Sequence, residues 1–178
     1  MKTRRLLSGL ALHVLSASLG LVTTLRAGEP LQTILSPADE SFAKHAAAEG
    51  LEEATLAGLA HQKAQSRQVR DLAETLLRDQ DALNRNLTEV IERRNVVTSA
   101  VIDPSGAAAF QHLEKFQGEA FDSAFVDQMQ RNYRRSVDRY EEEVKKVEDL
   151  ALKVYINKAL KKLKFGLDQV DRVREQLR

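Results

Sequence analysis

The sequence predicts an all-α protein, a four-helix bundle behind an N-terminal targeting segment. Three observations carry this. Apolar residues recur at helical spacing over four stretches of about 28 residues, each leaving one stripe to bury. Charged residues make up 30% of the chain against only 3 Pro and 8 Gly, a composition of long helices rather than of sheets. The segments between the stretches are short except for one, so the helices pair as hairpins.

The chain opens with Lys2, Arg4 and Arg5, then an uncharged run from Leu6 to Leu25, then Ala27-Gly28. That order is a basic region, an apolar region and a cleavage zone, so residues 1–27 are expected to be an export signal or an uncleaved membrane anchor. The run is about as long as a bilayer span requires, although His13 and several Ser, Thr and Gly residues dilute it. The body is then expected in the periplasm or cell envelope. Of the 27 Lys and Arg residues four lie in this segment and none of the 26 Asp and Glu do, so the remainder carries net −3. A mildly acidic body excludes the nucleic-acid binders that recruit phosphates with a basic face. The chain contains no Cys, which excludes disulfides, thiolate metal sites and cysteine nucleophiles.

Residues 28–35 read as an irregular leader. Ser36-Pro37-Ala38-Asp39 starts the first helix, with Ser as N-cap, Pro in the first turn and Asp39 placed as the acid of a capping box. This helix is expected over 37–64, with Phe42, Ala46, Leu56 and Ala60 inward, and Gly50 implies a tight helix contact or a bend. The second is expected over 67–94, with Val69, Leu72, Leu76, Leu83, Leu87 and Val90 as its stripe. Asp103-Pro104-Ser105-Gly106 marks a loop before a short helix at about 107–116. The third long helix is expected over 119–146 and the fourth over 150–177, capped by Asp149. Helices of that length are each about 42 Å long, and the connection over 95–118 could reach from one end to the other. One long crossover between the second and third helices of a bundle over 36–177 is the ferritin-like arrangement.

Within that frame Asp79-Gln80 interrupts the second stripe, as a carboxylate and an amide expected on its inward side. The order of motifs then becomes informative. Ala46 to Glu53, Leu59-Ala60, Val69 to Ala73, Arg78-Asp79-Gln80, Phe121 to Met129 and the start at Asp149 resemble the secreted bacterial family called domain of unknown function 4142. The likeness spans residues 39–175 and implies a ferritin-like bundle. It also implies histidines at three positions, where this sequence has Gln80, Tyr133 and Gly166. The family's acids are retained as Glu53 and Asp79.

A ferritin-type metal centre needs carboxylates from several helices and Glu-x-x-His motifs converging at one depth. The four histidines, His13, His45, His61 and His112, include no such motif. No metal and no cofactor is therefore expected, and Gln80 and Tyr133 are expected to hydrogen-bond Asp79, Glu53 or nearby groups in a polar layer. Acid–base work by Glu53 and Asp79 is conceivable chemically, but nothing supplies a nucleophile or an oxyanion hole, so no enzymatic activity is expected. Arg131, Arg134, Arg135 and Arg139 form a basic surface on the third helix. Lys158, Lys161, Lys162 and Lys164 make a second, able to touch an anionic membrane surface weakly. The function expected is structural or interactive, with an unidentified envelope partner. The alternatives are a metal-binding or redox protein using Glu53 and Asp79, and a membrane-anchored bundle.

Overall fold

The computed structural model describes residues 34–178, so the segment read as a signal or anchor lies outside the described residues. Five α-helices and no strand occur among the described residues: α1 Pro37–Lys63, α2 Arg67–Glu92, α3 Pro104–Glu114, α4 Gly118–Glu143 and α5 Leu150–Gln176. The helices begin where their chemistry dictates. The Asp39 N–H donates to Ser36 Oγ at 3.1 Å, the Gly106 N–H to Asp103 at 2.8 Å and the Leu152 N–H to Asp149 at 2.8 Å. Helix α2 ends where Asn95 turns to φ 56, a left-handed conformation that asparagine tolerates, and the Val96 N–H returns to the Ile91 carbonyl. The short helix begins earlier than the sequence indicates, because Asp103 caps it and Pro104 is its first residue rather than part of a loop.

Helix α1 packs chiefly on α2 and α4 on α5, and the two hairpins meet through α2 against α5 and α1 against α4. The core between them is built from the stripes: Phe42, Leu56, Leu76, Leu87, Phe121, Phe125, Met129, Leu152, Ile156 and Val170 are buried. Gly50 is a close contact rather than a bend, since a Cβ there would overlap the Gln80 and Asn84 side chains of α2.

Two carboxylates lock the hairpins together. Asp39, at the start of α1, accepts from the Glu148 and Asp149 N–H groups in the α4–α5 turn, the latter at 2.9 Å. Asp122, near the start of α4, accepts from the Gln65 and Ser66 N–H groups in the α1–α2 turn at 3.0 and 2.7 Å. Asp39 thus does not close its own capping box; its carboxylate is spent on the far turn. Arg94 joins the end of α2 to the same α4–α5 turn through two hydrogen bonds to Asp149, each 2.8 Å.

The hairpins are related by a pseudo-twofold axis that keeps a constant spacing of 83 residues. At this spacing Glu53 meets Ser136 and Asp79 meets Lys162, the contacts that equivalent positions make on such an axis. The same spacing carries Asp39 onto Asp122, Phe42 onto Phe125 and the cap Ser66 onto Asp149. Every buried residue of α5, from Leu152 to Val170, falls on a buried residue of α2.

Candidate functional site

Helix α1 offers three glutamates within one turn and a half, and α4 faces them with amide, hydroxyl and guanidinium groups. Glu53 is 3% exposed and accepts from Ser136 Oγ at 3.0 Å. Glu52 accepts from Asn132 Nδ2 at 2.9 Å beneath α3, where Gly106 leaves room for its side chain. Glu49 lies 3.2 Å from Arg139 and 3.7 Å from Arg135, while its Oε2 is buried without a hydrogen-bond partner. Burial raises Glu49, against the pull of the two arginines. Burial also pushes Glu53 up to about 8, because its single hydroxyl partner lowers it less than the lost water raises it and Glu49 and Glu52 add negative charge nearby. Glu53 is therefore largely a neutral carboxyl at neutral pH.

The other residues singled out in the sequence divide. Gln80 is buried, but its amide donates to Asn84 Oδ1 at 3.3 Å rather than to an acid, and Asn84 in turn donates to the Gly50 carbonyl at 3.2 Å. Its Oε1 is buried with no hydrogen-bond partner. Asp79 does not face inward; it is half-buried between α2 and α5 and accepts from Lys162 Nζ at 2.6 Å. Gln80 takes the buried direction on α2, and Asp79, about 100° round the helix from it, is turned toward α5. Tyr133 is 2% exposed and its ring fills the space over Gly166, where a Cβ would overlap it. Burial first, and then the negative charges of Glu53 and Asp79, drive its hydroxyl well above the usual phenol range. No hydrogen bond joins Tyr133 to either acid among the described residues.

The sequence reading missed Asn132 and Ser136 as partners of the acids, and Asp39 and Asp122 as turn-holding groups. A signal was available only for the first pair, since polar residues on the inward face of α4 need partners. Among the described residues no group of three His, Asp or Glu side chains converges as an ion would require. His45 bonds its own helix at Ser41, and His112 packs edge-on against Phe116. Of the four lysines read as a basic patch, Lys162 is paired with Asp79 and Lys164 with Glu141. Among the described residues, Lys158 and Lys161 of that patch have no ion pair.

An all-helical bundle whose central acids are each held by a neighbour from another helix is the class that these contacts define. Over residues 25–173 the chain matches the family described as a domain of unknown function, DUF4142, and it belongs to that family. A solved DUF305 fragment from Deinococcus radiodurans is similar in fold, with TM-score 0.72 at 16% identity over 81% of this chain and 99% of that one. No curated protein matches the chain.

Proposed function

We propose that the protein is an exported cell-envelope bundle of ferritin-like arrangement with a structural or interaction role rather than a catalytic one. The observation that supports this most is how the central acids are used: Glu53 by Ser136, Glu52 by Asn132 and Asp79 by Lys162. Each acid carries a hydrogen bond from another helix. Tyr133 seated on Gly166 supports the same reading. The large ring and the missing side chain are complementary in volume, as expected where two positions have been refitted for packing and not for ligation.

Fractionation of cells that express the untagged chain tests the proposal, together with metal analysis of protein purified without chelators. Recovery in the envelope or periplasmic fraction, with no stoichiometric metal, is the expected result. Cytoplasmic recovery would overturn the export reading. Stoichiometric iron, manganese or zinc that disappears in Glu53→Ala would overturn the non-catalytic one.

A further inference from the structure

Among the described residues six large apolar side chains are exposed, and four of them lie at one end of the bundle. Ile34 is 85% exposed, Val97 81%, Leu150 76% and Val154 47%. They share that end because α1 starts there, α2 finishes there and α5 starts there, and the bonds of Asp39 and Arg94 to the α4–α5 turn fix the three together. Leu150 and Val154 also wall a groove of about 640 Å³ between α2 and α5, with Val90 and Ala151 in its lining. A soluble monomer scatters single apolar residues over its surface; a cluster at one pole marks a contact.

We propose that this pole rests on a lipid surface, with Ile34, Val97, Leu150 and Val154 entering the interfacial region of the bilayer. The occupant follows from where the chain comes from. The described bundle begins at Ile34, on this pole, and the uncharged run Leu6–Leu25 behind three basic residues lies just upstream. A run of that length and flanking charge is expected to be a membrane segment, and where it is retained the chain enters the bundle only a few residues after leaving the bilayer. Lys153 and Lys158 flank the apolar residues on α5 and have no ion pair among the described residues, so their stems can lie along lipid while the ammonium groups stay in water. Glu89 and Glu148 line the same groove, so apolar insertion rather than headgroup charge is the driving term. The proposal rests on the export reading above, but its test does not pass through cell location.

The full chain contains no Cys, so single cysteines at Val97→Cys, Val154→Cys and, at the opposite pole, Gln68→Cys can carry an environment-sensitive fluorophore. The protein is reconstituted in phosphatidylcholine–phosphatidylglycerol vesicles with and without nitroxide-labelled lipid. Blue-shifted emission and several-fold stronger nitroxide quenching at 97 and 154 than at 68 is expected. Leu150→Glu with Val154→Glu should abolish the quenching at 97 while the helical circular dichroism persists. Water-like emission at 97 and 154 overturns the proposal. Blue-shifted emission without quenching also overturns it, because protein rather than lipid then covers the pole. A cytoplasmic fractionation result with strong quenching would sink the export reading and leave the lipid-facing pole standing.

Discussion

Asp39 and Asp122 do the same work at opposite poles of the bundle, each accepting two successive backbone N–H groups from the turn of the other hairpin. In each case the second donor is the residue that caps the outgoing helix, Asp149 or Ser66. Both carboxylates are buried, at 2% and 1% exposure. The hairpins are therefore joined by charge-assisted bonds at both ends as well as by the apolar core between them.

Asp39→Ala and Asp122→Ala should each destabilise the fold by about 1–3 kcal/mol, since each removes the buried carboxylate that accepts from two part-buried turn N–H groups. The two sites are at opposite poles and share no partner, so the double variant should lose close to the sum. Urea titration followed by circular dichroism measures all three. A double variant no weaker than either single would contradict the two-pole picture.

Glu53 gives the fold a pH dependence with a definite sign. Its folded value is about 8 against an ordinary 4.5, so the folded state binds the proton more tightly than the unfolded chain. The stabilisation is complete below the lower value and is lost as pH rises through the upper one, at about 1.4 kcal/mol per unit of separation. Glu53→Gln removes the titrating group and keeps the shape. Thermal melts across that window should fall with pH in the parent and flatten in the variant; parallel curves would show that Glu53 is not the group responsible.

Gly166→Ala should cost about 1–3 kcal/mol, because the added methyl overlaps the Tyr133 ring and the interior is already close-packed. Tyr133→Leu should relieve the clash, so Gly166→Ala should be much less costly in that background than in the parent. Equal costs in both backgrounds would separate Tyr133 from Gly166.

Asp79 and Lys162 are equivalent positions across the pseudo-twofold axis, so exchanging them should preserve the contact. Asp79→Lys or Lys162→Asp alone should cost on the order of 0.5–1 kcal/mol, small because both side chains are partly in water. The reciprocal double variant should recover most of that loss in chemical denaturation. Additive losses would indicate that the pair contributes no coupling.

Much of the architecture was legible in the sequence because burial repeats with the helical period. The stripe from Val69 to Leu87 and the caps Ser36 and Asp149 are local signals, complete within one turn. Asp39 was misassigned for the opposite reason: its spacing to Ser36 fits a capping box, while its actual donors lie more than a hundred residues away. Asp79 was placed inward by its neighbour Gln80, although one residue's rotation moves a side chain off the stripe. The pseudo-twofold relation was hard to see because, apart from Asp39 with Asp122 and Phe42 with Phe125, most equivalent positions match in burial rather than in identity. Gly50 stands opposite Tyr133, Leu83 opposite Gly166, and Leu76 opposite Ala159.

The unlike residues on the axis also decide which hairpins can associate. If two copies of the first hairpin paired through this interface, Asp79 would face Asp79. Two copies of the second would set Lys162 against Lys162. Only the mixed pair brings Asp79 to Lys162 and Glu53 to Ser136, and like charges held this close are repulsive. The axis therefore works as a recognition code that favours pairing of a first hairpin with a second over association of two like hairpins.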